Sequence, residues 1–188
     1  MYSTEIKESA LISGDVIQDS QLVTLNEHFD VRGSFTEVFQ NNWNSVINPV
    51  QWSMVKSEEQ VLRGMHYHRR HDEYFCLVQG SCYLGLKDLR PESSSYLKSS
   101  LYYLTASDLK ALIFPRGVVH GWYFIEASLH LQAVSESYEG YGDEDNFGCR
   151  WDDPQLGIPW PFESAIISER ANGFGSLDEL PPFYKERL

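Results

Sequence analysis

Short apolar and aromatic segments, separated by polar turns, recur along most of the 188-residue chain. Their side chains are aromatic or β-branched, and Gly, Pro, Asn or Asp bound them, which is typical of β-strands. The pattern predicts strands at residues 16–25, 35–39, 50–56, 74–78, 81–86, 100–104, 111–114 and 129–134. Many short strands at regular spacing favour an all-β sandwich, barrel or jelly roll.

Helical periodicity is rare in this chain. Residues 41–46 and 164–169 are the two candidate short helices, and two prolines exclude a helix interior over residues 154–160. No repeat, low-complexity tract or long linker divides the sequence, and its length suits one domain. We therefore expect a single domain over residues 1–188, with residues 1–14 as an N-terminal arm.

The composition disfavours several classes of partner. Asp plus Glu number 27 against 15 Lys plus Arg, and a net charge of −12 disfavours nucleic acid and anionic membranes. No segment approaches the ~18 apolar residues of a membrane span, and no signal peptide is visible. The three cysteines, an odd and sparse set, suit reduced thiols. We expect a cytoplasmic protein, with Cys76 and Cys82 packed in its core.

The densest group of chemically active side chains lies in the run RGMHYHRRHDE at residues 63–73. On a strand, His66 and His68 share one face because side chains alternate with period 2. Both imidazoles then point into a barrel, where His120 joins them from a neighbouring strand. A hydrogen-bonded core histidine is the simpler interpretation of each, but the Arg-Gly-Met-His context favours a functional role for His66.

Other polar residues have structural interpretations. His71 stands beside two arginines and an aspartate, so we expect it in a solvated loop. We expect the same of the acidic stretch at residues 136–145, and we expect His130 to be structural.

Two short motifs resemble those of the cupin superfamily. The first matches in residue type and spacing at His66, His68, Glu73 and Gly80. The second matches at Pro115, Gly117 and His120. The resemblance implies a cupin jelly-roll barrel with short flanking helices, which can hold one small ligand inside.

Five ordered segments resemble the dTDP-4-dehydrorhamnose 3,5-epimerase family from about residue 15 to residue 177. They are FDVRGSFTEVF at 29–39, QWSMVKS with VLRGMHY at 51–57 and 61–67, PRGVVHGW at 115–122, RWDDPQLGIPWP at 150–161 and ISER at 167–170. The fourth segment is the most specific. Five matches in the family's order make chance a poor explanation.

This resemblance implies an epimerase of a nucleotide-linked 4-keto-6-deoxyhexose, in deoxysugar and polysaccharide biosynthesis. The C4 ketone acidifies C3 and C5, so a base removes a proton and a proton returns on the opposite face. His66 would be the base, in a homodimer that uses no cofactor or metal and often exchanges N-terminal strands. The implied substrate-binding residues are Arg32, Glu37, Gln51, Ser53, Arg63, His68, His120 and Arg170. Arginines suit a diphosphate because their planar forks pair with phosphate oxygens.

Three positions depart from the family's pattern. Glu73 stands where the family has a lysine, and Ala171 where it has the aspartate that orients its base. The position of the family's acid tyrosine holds Ser135. Because the opposite-face acid is missing, we expect epimerisation at C3 rather than at C3 and C5. Tyr138 is a nearby tyrosine, and Glu73 is the candidate to replace the aspartate as partner of the base, so both join the catalytic candidates.

Three other functions stay open. A sugar-nucleotide 3,4-ketoisomerase would use histidines without the acid tyrosine. A metal-dependent cupin enzyme would use His66, His68, Glu73 and His120, a set that binds Fe, Mn, Ni or Zn. A non-catalytic cupin would bind the sugar nucleotide without turnover. We favour the epimerase, because both hypotheses explain His66 and His120. Only His68 and Glu73 support the metal hypothesis alone.

Overall fold

The structure is a computed structural model that describes residues 10–184. Its strands are β1 (Leu11–Gly14), β2 (Gln21–Thr24), β3 (Glu27–Asp30), β4 (Gly33–Thr36), β5 (Gln51–Ser57), β6 (Leu62–Tyr67), β7 (Glu73–Gln79), β8 (Ser81–Asp88), β9 (Ser99–Thr105), β10 (Lys110–Phe114), β11 (Val118–Phe124), β12 (Ser128–Val134) and β13 (Phe147–Gly148). The helices are the short α1 (Tyr138–Tyr141) and α2 (Glu169–Asn172) and the 3₁₀ turns Ala106–Asp108, Gly142–Asp145, Pro154–Leu156 and Leu177–Glu179.

Two antiparallel sheets make up the body of the fold. One has the order β1-β9-β8-β11-β6-β13, and the other has the order β2-β10-β7-β12-β5. β3 and β4 form a separate two-stranded sheet, which we call the exposed hairpin. The all-β prediction, a jelly-roll barrel with short helices, is confirmed. No helix of the described residues is long and apolar enough to cross a membrane.

The facing sides of the two sheets enclose the main apolar core. Phe75 of β7 packs against Trp122 of β11, with ring centroids 5.1 Å apart, and both side chains are buried. Truncating an aromatic residue at such a site costs about 3–5 kcal/mol. Cys76, Cys82 and Cys149 are free and buried, and the core location predicted for the first two is confirmed.

Two regions of the fold leave apolar side chains uncovered. The exposed hairpin presents Phe29, Val31 and Phe35, although such side chains normally pack in a core. β5 lies at the edge of its sheet and exposes Trp52 and Met54. An edge strand with exposed apolar side chains is a ready surface for pairing with another chain.

The predicted strands over residues 16–25 and 35–39 are shorter than expected. Asp19 has φ +64°, and Ser20 N–H donates to the Ile17 carbonyl, so a turn precedes β2. Asp tolerates this left-handed conformation better than most residues do. In the second region the strand ends at Thr36.

The helix predicted over residues 41–46 is wrong, because this segment forms turns. Its Asn and Ser side chains compete with helical hydrogen bonding and favour turns. The other helix is displaced: Ser168 accepts a hydrogen bond from Ala171 N–H and caps α2, so the helix begins at Glu169. Of the expected N-terminal arm, residues 1–9 lie outside the described residues, and Leu11–Gly14 pairs with β9 as β1.

Candidate active site

Side chains from both sheets converge at one end of the barrel. β6 and β11 are neighbours, and His66 lies opposite His120. His68 follows the end of β6, while Glu73 begins β7 in the other sheet. The ring centroids of His66 and His120 are 5.9 Å apart, and those of His68 and His120 are 5.4 Å apart. The structure therefore brings together the four residues of the two cupin motifs that can act on a proton or a metal.

Close contact between β6 and β11 depends on glycine. Gly64 has φ +137°, and a Cβ at this position would lie 2.6 Å from the Cα of Gly121. Only glycine fits such a conformation and such an approach without strain. The register of the two strands shifts here, between His120 and Trp122. A larger residue at Gly64 would therefore separate the strands that hold His66 and His120.

The carboxylate of Glu73 lies among three imidazoles. Its Oε1 is 3.4 Å from His68 Nε2, 3.5 Å from His71 Nε2 and 3.6 Å from His120 Nε2. Its Oε2 accepts a hydrogen bond of 2.8 Å from Gln132 Nε2. Among the described residues no ion pair joins Glu73 to His66. The hypothesis that Glu73 orients His66 by direct contact is therefore wrong, since its carboxylate is turned toward the other three histidines.

His71 and Asp145 are buried parts of the same site. They are 1% and 0% exposed, so the prediction of solvated loop positions for both is wrong. His71 Nδ1 lies 3.4 Å from Asp145 Oδ2, and the Tyr141 ring stacks on His71 with centroids 4.2 Å apart. The Asp145 carboxylate accepts the Arg69 and Arg70 backbone N–H groups at 2.8 and 2.9 Å. These bonds hold the acidic loop against the histidines.

We call this whole set the histidine cluster. It comprises His66, His68, His71, Glu73, His120 and Asp145. The period-2 spacing of residues 71 and 73 is a sequence signal that places both side chains on one face. No spacing rule identifies Asp145, which lies more than 70 residues further along the chain.

Burial keeps most of the imidazoles neutral. It lowers the pKa of His66 to about 3, with help from the neighbouring His120 and His68 imidazoles. Burial likewise lowers the pKa of His68 to about 4, although the Glu73 charge opposes it, and lowers the pKa of His120. At neutral pH His66 is therefore an uncharged imidazole that can accept a proton, and its side chain is only half-buried.

His71 behaves in the opposite way. Burial alone would lower its pKa, but the carboxylates of Asp145 and Glu73 outweigh burial and raise the pKa of His71 to about 9. Burial also acts to raise the pKa of Glu73, but its interactions with the His120 imidazole and the hydrogen bond from His71 outweigh burial and hold the pKa well below its usual range. The cluster therefore combines a charged centre with a neutral, accessible His66.

Several predicted binding residues share the inner face of the barrel. Gln51 and Ser53 of β5 lie opposite Val134 and Gln132 of β12, and residues directly opposite on neighbouring strands point to the same face. Gln132 contacts Glu73, so Gln51 and Ser53 face the interior near the cluster.

One predicted binding arginine, Arg170, adds positive charge near His66, and a second, Arg63, lies on the same strand as His66. Arg63 lies three residues before it on β6, and its Nε donates to Ser57 Oγ at 2.8 Å. The Arg170 guanidinium donates to the Asn146 carbonyl, and its charge contributes to the lowered pKa of His66. The charge of Arg170 therefore reaches the position of the proposed base.

Arg32, Glu37 and Tyr138 are not brought to the cluster within one described chain. Arg32 lies in the turn of the exposed hairpin and pairs with Asp30. Glu37 follows β4 and lines a small cavity with Trp43. Tyr138 donates its hydroxyl hydrogen to Asp143 Oδ1 at 3.1 Å, and its backbone N–H donates to Gln51 Oε1 at 2.9 Å.

Comparison with known proteins agrees with this architecture. Residues 15–179 match the family model of dTDP-4-dehydrorhamnose 3,5-epimerase. The chain belongs to this family of epimerases. Epimerases are isomerase-class enzymes, and the resemblance seen in the five sequence segments is confirmed.

Individual relatives extend over almost the whole chain. A dTDP-4-dehydrorhamnose 3,5-epimerase of Methanothermobacter thermautotrophicus is 30% identical and covers 92% of this chain and 94% of its own. A solved epimerase of this name from Bacillus anthracis, with TDP and pyrophosphate bound, is 26% identical, with a TM-score of 0.77 and coverage of 88% of this chain and 100% of its own. A Legionella pneumophila dTDP-6-deoxy-D-glucose-3,5-epimerase in complex with dTDP-4-keto-L-rhamnose shares the fold, with a TM-score of 0.81, 23% identity and coverage of 93% and 98%.

Proposed function

We propose that this chain is an epimerase of a nucleotide-diphosphate-linked 4-keto-6-deoxyhexose that acts at C3. The observation that carries the proposal is His66, a neutral and half-buried imidazole at the polar end of the barrel. Membership of the epimerase family and the retention of its central Arg-Gly-Met-His run support the same substrate class.

The reaction begins with proton transfer from C3 to His66. Electrons of the C3–H bond form an enolate whose charge rests on the oxygen of the C4 ketone. Arg63 and Arg170 supply positive charge beside this position, and fixed charge of this kind stabilises an oxyanion more strongly in a buried site than in water. The negative substrate also favours the protonated form of His66, so binding strengthens the base.

Return of a proton to the opposite face of C3 completes the epimerisation. Tyr138 and Tyr141 both lie on α1, and Tyr141 contacts the cluster, with its ring centroid 6.1 Å from that of His68. Ser135, at the position of the family's acid tyrosine, is engaged by Asp72, whose N–H donates to Ser135 Oγ at 2.8 Å. We assign the acid to α1, with Tyr138 as the first candidate.

The exposed hairpin supports a homodimer. Its apolar side chains and the open edge of β5 are two surfaces that a second copy can cover. In this arrangement the hairpin lies along β5 of the partner and brings Arg32 and Glu37 to the partner's site. Arg32 would then exchange Asp30 for substrate phosphate, with which guanidinium forms strong bidentate hydrogen bonds.

The cysteines favour a reducing compartment. All three are free and buried in the described structure, and none forms a disulfide bond of the kind that is typical of oxidising compartments. We propose that the chain acts in the cytoplasm, where nucleotide sugars serve polysaccharide biosynthesis.

Proton NMR in D₂O with dTDP-4-keto-6-deoxyglucose tests the proposal. We expect deuterium to enter C3 while the ketone stays at C4, and His66→Asn to slow this exchange about 10²- to 10⁴-fold. The melting temperature of the variant is compared with that of the unchanged chain as a check of folding.

Each other outcome identifies a different function. A ketone that moves to C3 indicates a 3,4-ketoisomerase. Tight binding without exchange at C3 or C5 indicates a non-catalytic cupin. Deuterium at both carbons confirms an epimerase and corrects the assignment to C3 alone.

A further inference from the structure

Three consecutive residues between β6 and β7, at positions 70–72, face the segment that follows β12. The Arg70 Nε donates to the Glu136 carboxylate at 3.1 Å. The Asp72 backbone N–H donates to Ser135 Oγ at 2.8 Å, and the Ser135 N–H donates to the Asp72 carbonyl at 3.1 Å. The residue between these two contacts is therefore held against the same segment.

The helix in that segment, α1, depends on such contacts for its position. It has only four residues, and its N-cap, Ser137, makes no side-chain capping hydrogen bond. Isolated helices shorter than about 12–15 residues are marginal in water. Gly140 lowers the helix propensity of the sequence further. Contacts with the rest of the fold, rather than the helix itself, therefore set where α1 lies.

His71 makes the contact that joins α1 to the interior of the barrel. Its side chain is 0% exposed, and the Tyr141 ring stacks on it at an angle of 29° between the two planes. Its two ring nitrogens face Glu73 Oε1 at 3.5 Å and Asp145 Oδ2 at 3.4 Å. An acceptor at each nitrogen suits the doubly protonated ring, in which both nitrogens are donors. A cation is attracted to the face of a tyrosine ring, so the two carboxylates also strengthen the stacking on Tyr141.

Tyr141 in turn contacts Tyr138, the first candidate for the acid. The two ring centroids are 5.4 Å apart and the planes meet at 87°, an edge-to-face arrangement that aromatic pairs favour. Loss of the contact between His71 and Tyr141 should therefore displace both tyrosines of α1.

The base and α1 belong to opposite sheets. His66 lies on β6 of the six-stranded sheet, whereas α1 follows β12 of the five-stranded sheet. Within the described part of the chain, ring contacts join His66 to His68, His120 and Trp122, and none joins it to α1. Inversion at a carbon atom needs a base on one face and an acid on the other, which is the arrangement that two opposite sheets can provide.

We infer that His71 is a positioning residue, which holds α1 so that an acid on this helix meets the face of C3 opposite His66. The inference rests on the proposed function and deepens it, because it separates inversion from proton removal. With α1 in place, His66 takes the C3 proton and the acid of α1 delivers another to the opposite face. With α1 displaced, His66 returns a proton or a solvent deuteron to the face it came from, which regenerates the sugar without inversion.

Proton NMR in D₂O with dTDP-4-keto-6-deoxyglucose measures the two processes separately. One initial rate is the entry of deuterium at C3 into sugar of unchanged configuration, and the other is the appearance of the C3 epimer. In His71→Gln we expect the ratio of the first rate to the second to rise about 10- to 100-fold, since misplacement by about 1 Å can cost 10²-fold. His66→Asn should instead slow both processes together.

A second variant applies if His71→Gln does not fold. Glu136 is 28% exposed and lies outside the histidine cluster, so Glu136→Gln weakens the contact with Arg70 without leaving a buried charge unpaired. We expect the same ratio to rise in this variant, by a smaller factor than in His71→Gln.

Two control variants separate positioning from a general loss of stability. Glu139→Gln changes an exposed side chain of α1 itself, and its ratio should equal that of the unchanged chain. Leu104→Ala opens a cavity in the main core, where Leu104 is 2% exposed. Its melting temperature should fall, and its ratio should stay the same.

The inference is overturned if His71→Gln and Glu136→Gln keep the ratio of the unchanged chain. It is equally overturned if His71→Gln slows deuterium entry and epimer formation by the same factor, or if Leu104→Ala raises the ratio as His71→Gln does. Absence of deuterium entry in the unchanged chain overturns the proposed function as well. An unchanged chain that inverts C3, with variants that keep its ratio, overturns only the role of His71.

Discussion

The histidine cluster and the exposed hairpin depart from the ordinary pattern of a folded domain in opposite directions. The cluster buries three of its histidines and both of its carboxylates, groups that are expensive to remove from water. The hairpin leaves Phe29 76% exposed and Phe35 65% exposed. A buried polar group marks chemistry inside the chain, whereas an exposed apolar group marks contact with another chain. The buried polar side chains of the cluster and the exposed apolar side chains of the hairpin are therefore the two places where we expect function.

The largest expected effect comes from removing the centre of the cluster. Glu73→Ala leaves His71 charged and buried beside only one carboxylate, and breaking a buried ion pair costs about 3–5 kcal/mol. Urea denaturation at pH 7 measures this loss. The exposed control Glu92→Gln should change the free energy of unfolding by less than about 0.5 kcal/mol. An equally small change for Glu73→Ala would show that its buried contacts do not stabilise the fold.

Substitutions in the exposed hairpin should weaken the association of two chains rather than the folding of one chain. Phe29→Asp with Phe35→Asp places charge where the proposed dimer contact is apolar, which should weaken the dimer by about 2–4 kcal/mol. Sedimentation over a range of concentrations measures dissociation, and the free energy of unfolding of the monomer should hardly change. A double variant that dimerises like the unchanged chain would contradict the assignment of this surface.

A smaller effect on the free energy of unfolding is expected from Asp145, the second carboxylate of the cluster. Asp145→Asn removes the charge that faces His71 and should cost about 1–3 kcal/mol at pH 7. Because the raised pKa of His71, about 9, lies above its unfolded value, this stability is present below about pH 6.5 and is lost as pH rises through about 9. Denaturation curves at pH 6 and pH 9.5 should therefore show a larger cost of Asp145→Asn at pH 6. An equal cost at both pH values would contradict the ion pair.

The smallest effect at neutral pH concerns a buried histidine outside the cluster. Burial lowers the pKa of His130 to about 4, so below pH 6.5 the unfolded chain binds a proton that the folded chain does not. Stability is therefore lost as pH falls from about 6.5 to 4. His130→Phe, placed among Phe75 and Phe124, should flatten this part of the pH profile. A profile as steep as that of the unchanged chain would show that His130 does not contribute to it.

The sequence predicts most strands that have clear boundaries, but not β6 and β11, the two neighbouring strands that carry His66 and His120. β8 and β12 are apolar segments between turns, so their composition predicts them. β11 is buried along its whole length and carries His120 and Gly121, which obscures any alternation. β6 has the sequence LRGMHY, in which Arg63, Gly64 and His66 interrupt the apolar pattern of a strand, although the structure buries most of it.

The candidate site divides in the same way. Period-2 spacing placed His66 and His68 on one face of a strand. Resemblance to the two cupin motifs added Glu73 and His120. Sequence reasoning missed His71 and Asp145, because their burial depends on a contact across more than 70 residues. It also could not foresee that Glu73 turns toward three histidines instead of His66, since side-chain direction is set by packing across the two sheets.

The measurement that tests the account most directly mixes two inactive variants. His66→Asn removes the base from the barrel, and Arg32→Ala removes the hairpin arginine proposed to serve the partner's site. After the two chains are unfolded and refolded together, each mixed dimer should contain one site with both His66 and the partner's Arg32. We predict that about a quarter of the unmixed wild-type exchange at C3 returns, since half of the dimers are mixed and half of their sites are intact. If no activity returns although mixed dimers form, Arg32 does not complete the partner's site, and the two regions do not work together as proposed.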